Sequence, residues 1–303
     1  MKVAMRDVFV KLGFFTRRST TKVAMRGIFT KVSVFVLVMI TLLSAQESLQ
    51  PRKLVDAHTA GVLPKSHYDL ECRFYPPGNT GYESGVMMGL NVGLTDRFTV
   101  GLSYGGEGII GRRDNARGNP APGVLVKYRL FEEGLAPPAL TLGYDHQGHG
   151  GIANSRDFGY DGYIFKSPGF FAALSKNYIM LNIIQIGLHG TGNYSLEERQ
   201  NVSWPNAMGG VDITINDELT LVAEYDCAFN DRTGSKDKYF SPFNGFFNAG
   251  IRWAFSHNFQ LEFDVKDIFE NKRRTVGLDP NGDRIKTKNG WSREIKVLHY
   301  SQF

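Results

Sequence analysis

Several short stretches combine residue types that could do chemistry. His146-Gln147-Gly148-His149 has an H-x-x-H spacing, but it lacks the glutamate that serves as base in H-E-x-x-H metal sites, and its glycines argue for a loop where those sites need a helix. Both are read as polar loop histidines. His299-Tyr300-Ser301 puts a histidine and a serine on one face of a strand, the beginnings of a hydrolase, yet no Asp or Asn nearby is placed to orient the imidazole. Asp279-Pro280-Asn281-Gly282-Asp283 has the spacing of a calcium-loop fragment, but Gly290 stands where the bidentate glutamate belongs, so a β-turn is expected. The glycine clusters at Gly105–Gly108 and Gly148–Gly151 do not join a strand to a helix and are no phosphate loop. Cys72 and Cys227, the two cysteines of the chain, read as small apolar fillers. No catalytic residue, metal site or cofactor is assigned, and the chain is not expected to be an enzyme.

Chemistry of another kind lies in charges at alternate positions of apolar strands. Glu71, Arg73, Lys127, Arg129, Asp145, Glu224, Asp226, Arg252, Glu262, Asp264 and Lys266, with Asp212, Glu294 and Lys296, all interleave with large apolar residues at period two. Tyr68, Leu70, Cys72 and Phe74 flank Glu71 and Arg73; Phe259, Leu261, Phe263 and Val265 flank Glu262 and Asp264. Such alternation predicts half-buried antiparallel strands, and it recurs often enough to predict twelve of them. Short turns are expected at Asp96-Arg97, Asn216-Asp217-Glu218 and His257-Asn258, whereas residues 105–122, 146–168, 228–244 and 267–291 form long connections. An even number of strands with short turns at one end and long loops at the other is the pattern of a bacterial outer-membrane barrel. The fold class read here is all-β: a transmembrane antiparallel β-barrel of about 12 strands over residues 66–303. The charged face then turns inward as a pore lining, and the apolar face meets outer-membrane lipid. Phe158, Tyr160, Tyr163, Tyr239, Phe240 and Phe243 in the loops are read as an interfacial girdle.

Composition supports this. The chain of 303 residues has 34 glycines, 13% aromatic residues and 42% hydrophobic residues, a mixture that suits barrels better than helix bundles. Its net charge of +5 does not point to nucleic acid. Of 35 basic and 30 acidic residues, eight and one respectively fall before Gln46, and the remainder is slightly acidic. Residues 32–45, VSVFVLVMITLLSA, follow that basic stretch and are too short for a comfortable bilayer helix. They read as the apolar core of a cleavable signal peptide spanning 1–45, with an extended basic region in which Lys2-Val3-Ala4-Met5-Arg6 recurs at Lys22–Arg26. Residues 46–65 would form a periplasmic segment able to plug the pore.

Two sets of residues resemble a known family. Leu54-Val55-Asp56 through Thr59-Ala60-Gly61-Val62-Leu63-Pro64-Lys65 is similar to the opening motif of the YjbH-type exopolysaccharide outer-membrane proteins. Ala139-Leu140-Thr141-Leu142-Gly143-Tyr144-Asp145 and Ala173-Leu174-Ser175-Lys176-Asn177-Tyr178 resemble that family's hairpins. His58 stands where the family has proline, Ser66 stands near its Asp-Gly turn, and this chain is much shorter. The resemblance implies an outer-membrane barrel with a surface-polysaccharide role. A narrow channel or accessory factor for polysaccharide or small polar solutes is one expectation; a closed structural barrel whose outer loops bind a partner is the other. The chain ends on Phe303, which resembles the aromatic terminus read by the barrel-assembly machinery, although Tyr300 lies on the opposite strand face and a register break is expected there.

Overall fold

The computed structural model describes residues 50–75, 84–110, 116–153, 162–181, 183–197, 204–230, 245–271, 273–278, 284–288 and 291–303. The signal peptide expected at 1–45, the turn expected at Asp279–Asp283, and the girdle aromatics Phe158, Tyr160, Tyr239, Phe240 and Phe243 lie outside them.

Twelve strands form the barrel: β1 (His67–Tyr75), β2 (Gly85–Thr95), β3 (Phe98–Glu107), β4 (Gly123–Phe131), β5 (Ala139–Asp145), β6 (Gly169–Met180), β7 (Ile184–Tyr194), β8 (Asn206–Ile215), β9 (Leu219–Asp226), β10 (Phe246–Ser256), β11 (Phe259–Lys266) and β12 (Ser292–Gln302). Each pairs antiparallel with its sequence neighbours, and β1 pairs with β12 to close the ring. Closure leaves no strand edge unpaired, which is what lipid demands of a sheet. The last ladder runs without interruption from Phe74 opposite Ile295 to His67 opposite Gln302. The register break expected near Tyr300 is therefore absent: Tyr300 turns inward in unbroken alternation, while His299 and Phe303 pack against Tyr68 on the outside.

The turns follow local chemistry. Between β8 and β9, Asn216 and Asp217 adopt φ of 53° and 58°, a left-handed pair that Asn and Asp tolerate better than most residues. Two connections hold more than loop. A short strand pair, His149–Ala153 with Gly162–Phe165, stands between β5 and β6, and another, Arg273–Leu278 with Arg284–Lys288, between β11 and β12.

The polarity of the wall is inverted relative to a water-soluble sheet. Leu90, Leu188, Ile251 and Phe263 face outward and are 44–51% exposed, whereas Lys127 and Glu224 face inward and are 0% and 1% exposed. The exterior is an apolar surface with no water-soluble protein core to cover it, and the charges have gone inside; that is the arrangement for a wall facing lipid. Ile251 lies mid-strand between Leu221 and Phe263. Ile251→Arg is expected to destabilise the membrane-inserted barrel by about 2–4 kcal/mol, the cost of a cation near the bilayer midplane. Urea unfolding in lipid vesicles would measure it, and a change below about 0.5 kcal/mol would place Ile251 away from the hydrocarbon.

Candidate functional site

The lumen is occupied by the chain's own residues 50–65. This segment starts at the short-turn end, where Gln50 Nε2 donates to Glu133 Oε2 at 2.7 Å. It rises to a tight turn, Leu54 N donating to the Ala57 carbonyl at 2.8 Å, with Lys53 bridged to His58 across the two arms. It then returns to the same end, where Lys65 N donates to Asp96 Oδ1 in the β2–β3 turn. The segment is thus a hairpin inserted from the short-turn side, with Val55 and Asp56 at its tip. Close approach of the returning arm to β2 needs Gly93, where a Cβ would run into the Pro64 carbonyl.

At its tip Leu54, Val55 and Ala57 pack against Val222 and Met208, and many of the hairpin's other contacts are polar. A backbone that leaves regular structure inside a barrel must have its N–H and C=O groups paired. The inward charges of the wall do this. Lys127 Nζ donates to the carbonyls of Arg52 and Thr59, both at 3.0 Å, so one ammonium ties the two arms together. Arg129 reaches the Ala60 carbonyl at 3.4 Å, which also accepts from Thr141 Oγ1 at 2.7 Å. Arg252 donates to the carbonyls of Lys53 and Leu54 at 2.8 and 2.5 Å. Lys296 donates to Val55 O at 2.8 Å. From the opposite charge, Glu224 Oε2 accepts from the backbone N–H of both Asp56 and Ala57 at 2.8 Å.

Side chains of the hairpin are paired too. Arg52 meets Asp69 at 2.5 Å and Lys53 meets Asp145 at 2.9 Å. His58 stacks face to face on Phe171 at 3.9 Å and bonds Asp145 Oδ2 at 3.0 Å. The Asp145 carboxylate accepts, so Nε2–H of His58 is the donor in that bond. At the tip, Asp56 meets Lys266 at 2.8 Å and Arg73 at 3.5 Å.

A hydrogen-bonded row lies beneath the returning arm. Ser175 Oγ accepts from Ala60 N at 2.8 Å and donates to His189 Nδ1 at 2.7 Å; His189 Nε2–H then donates to Asp212 Oδ1 at 2.5 Å. Gly187 leaves room for it, because a Cβ there would collide with both the carboxylate and the ring. All three side chains are at least nine-tenths buried, and the serine oxygen is covered by the hairpin amide. The row acts as an acceptor for Ala60.

Every pore-lining residue named from the sequence faces the lumen. Lys127, Arg129, Asp145, Glu224, Arg252 and Lys266 touch the hairpin directly, as does Arg73 through Asp56. The others pair within the wall: Glu71 with Arg73 at 2.9 Å, Glu262 with Arg252 at 2.5 Å, Asp264 with Lys296 at 2.7 Å, and Asp226 with Asn206 at 2.7 Å. Sequence reasoning missed Arg52, His58, Ser175 and His189. The signal available was His58 itself, a histidine where the resembled family has proline. His149, expected as a polar loop histidine, is instead 8% exposed and turned inward, its ring stacked with those of Tyr75 and Phe165 at 5.6 and 4.8 Å between centres. Tyr163, expected in the girdle, is likewise buried, with its backbone N–H on Glu197.

Below the hairpin the lumen widens at the short-turn end into a cavity of about 510 Å³, lined by Arg52, Glu71, Asp212, Arg252, Glu262 and Tyr300 and by apolar residues such as Ile183 and Leu63. Above it a cavity of about 70 Å³ remains beside Asp56, Arg73 and His149.

No protein-family model matches the chain, and no curated protein matches it. Among solved structures, a KdgM porin covers 78% of this chain and 99% of its own at 9% identity with a TM-score of 0.39. A NanC porin covers 77% and 99% at 7% identity and 0.38, and the Acinetobacter baumannii outer membrane protein Omp33 covers 79% and 99% at 8% identity and 0.37. At these identities and scores no residue role passes from them to this chain.

Proposed function

We propose that the protein is a bacterial outer-membrane barrel that serves as a narrow channel, or an accessory factor, for surface polysaccharide or small polar solutes, with its hairpin of residues 50–65 as the obstruction that sets the width of the path. The observation that carries this reading is the lumen itself. Twelve strands enclose more space than the eight-stranded barrels whose side chains fill the interior, and here that space is lined with charge inside an apolar wall. Here a polar cavity opens at one end and is closed halfway by a segment held through hydrogen bonds, which water or a polar solute can replace one by one.

The density of those anchors favours a second reading, a closed barrel whose outer loops bind a partner. Single-channel conductance of residues 46–303 refolded in detergent, after a heat-modifiability gel has shown folding, separates the two. Small but steady conductance is expected. A folded barrel that stays silent would favour the closed form and move attention to the loops.

The exposed C-terminal Phe303, packed on Tyr68 at 4.9 Å between ring centres, is the feature that supports recognition by the barrel-assembly machinery. The polysaccharide assignment rests on the sequence motifs at 54–65 and 139–145, of which the first is the hairpin.

A further inference from the structure

We propose that Ser175, His189 and Asp212 form a nucleophilic relay that hydrolyses short-chain carboxylic esters, such as an acetyl group on a sugar hydroxyl, once the hairpin has left the lumen. This inference rests on reading the hairpin as a removable obstruction.

The relay belongs to the wall and does not need the hairpin to assemble it. Ser175 on β6 stands directly across from His189 on β7, and Asp212 on β8 stands across from Gly187, the next inward residue of β7. Adjacent strands of a closed sheet thus fix Ser175 Oγ 2.7 Å from His189 Nδ1, and His189 Nε2 2.5 Å from Asp212 Oδ1. A carboxylate only accepts, so Nε2 carries the proton and Nδ1 offers its lone pair to the serine hydroxyl. That is the protonation a general base for serine requires.

The hairpin lies on this relay as a substrate would. Ala60 N–H donates to Ser175 Oγ at 2.8 Å, and the carbonyl of the same residue accepts from Thr141 Oγ1 at 2.7 Å and from Arg129 Nε and Nη2 at 3.4 Å. Nucleophile and carbonyl-binding donors are therefore spaced by the backbone of one residue, and an ester carbonyl in the place of Ala60 reaches both. Arg129 and Thr141 come from β4 and β5, so one residue from each of five consecutive strands makes the site. Ala60 and Ser175 are fully buried while the hairpin is docked, which keeps substrate out. The space is that of an alanine, and Ala173, the next inward residue of β6, stands across from Thr141. That favours a short acyl group.

In the reaction, Ser175 Oγ adds to the ester carbonyl carbon while its proton passes to His189 Nδ1. Thr141 and Arg129 hold the oxyanion, and Asp212 balances the imidazolium. Breaking the bond between that carbon and the alcohol oxygen releases the alcohol, which takes the proton from His189. Water then adds to the acyl-serine by the same route, and the acid leaves with the serine hydroxyl restored. Ester and water become acid and alcohol.

The test uses the refolded protein and two probes: a fluorophosphonate, which forms a phosphonyl ester on an activated serine as fluoride leaves, and p-nitrophenyl acetate. Amide exchange of residues 50–65 reports whether the hairpin is open. Glu224→Leu takes an acceptor from the Asp56 and Ala57 amides; in it Ser175 is expected to be labelled, and the acetate hydrolysed, at least about tenfold faster than in wild type. In that background His189→Gln should lower kcat by at least about a hundredfold, and Ser175→Ala should bring both readouts to background. Asp212→Asn keeps an oxygen for Nε2–H without the charge, so kcat should fall by at least about tenfold with KM within about twofold; an unchanged kcat overturns the role given to Asp212. An open hairpin with Ser175 unlabelled, or hydrolysis that survives Ser175→Ala, overturns the proposal. Should Glu224→Leu fail to fold, wild type held until residues 50–65 have exchanged must carry the label at Ser175. Full exchange without label overturns the proposal, and so does a hairpin that never exchanges. Conductance recorded in parallel separates this inference from the channel reading. A silent barrel whose Ser175 reacts contradicts the channel and supports the relay, whereas a conducting barrel whose Ser175 stays inert does the reverse.

Discussion

Glu224→Leu is expected to undock the tip of the hairpin. The carboxylate is 1% exposed and accepts from three donors, the backbone N–H groups of Asp56 and Ala57 and Asn248 Nδ2, each at 2.8 Å. Leucine is of similar size and accepts nothing. Three buried donors lose their partner at about 1–3 kcal/mol each, and some recover through water entering from the neighbouring cavity, so the docked state weakens by about 3–6 kcal/mol. That exceeds what Leu54, Val55 and Ala57 can retain through their small apolar contact with Val222. In amide exchange the protection of residues 50–65 should fall by at least about a hundredfold, and in single-channel recordings the conductance should rise. Glu224→Gln keeps one accepting oxygen and should show a smaller loss. Unchanged protection in the leucine variant would mean that the hairpin is held elsewhere.

Arg73→Met is expected to destabilise the whole barrel. The guanidinium is 2% exposed and touches three acids on three elements: Glu71 on its own strand at 2.9 Å, Glu294 on β12 at 2.9 Å and Asp56 on the hairpin at 3.5 Å. Methionine fills the stem's space and takes the guanidinium from Glu71, while Glu294 and Asp56 keep Lys266. Removing one partner from a buried ion network costs about 3–5 kcal/mol, because the remaining charges stay in a poor solvent. The compact gel form should be lost at a lower temperature than in wild type, and the urea midpoint should fall. Equal stability would show that water already reaches this cluster. Replacing Arg73, Arg129 and Arg252 together by glutamate would act through the same kind of contact. Arg129 and Arg252 donate to hairpin carbonyls, so a carboxylate there sets acceptor against acceptor. The expected outcome is a released hairpin and a larger conductance that prefers cations. Unchanged selectivity in a conducting barrel would remove these three residues from the path.

The wall of this barrel was legible in the chain before any coordinates. Side chains of a strand alternate strictly between two faces, so Tyr68, Leu70 and Cys72 against Glu71 and Arg73 already state which residues meet lipid and which meet the lumen. All twelve strands occur where the alternation predicts them, and the short turns at 96–97, 216–218 and 257–258 occur at one end. Such information is local: it needs only a few neighbouring residues and one periodicity. The partner of each inward charge is not local. Lys127 donates to carbonyls 68 and 75 positions away, and Arg252 to carbonyls 198 and 199 positions away. Backbone carbonyls carry no residue type, so no pattern of side chains announces them as partners. His149 illustrates the same limit. Its spacing to His146 and its glycine neighbours speak of a loop, whereas it opens a short strand between β5 and β6, and only closure of the ring brings Asp56, Lys266 and Glu294 around it. The lumen is where residues from every strand converge across the full length of the chain, and convergence of that kind follows from the closed geometry, which fixes distances that periodicity alone leaves free.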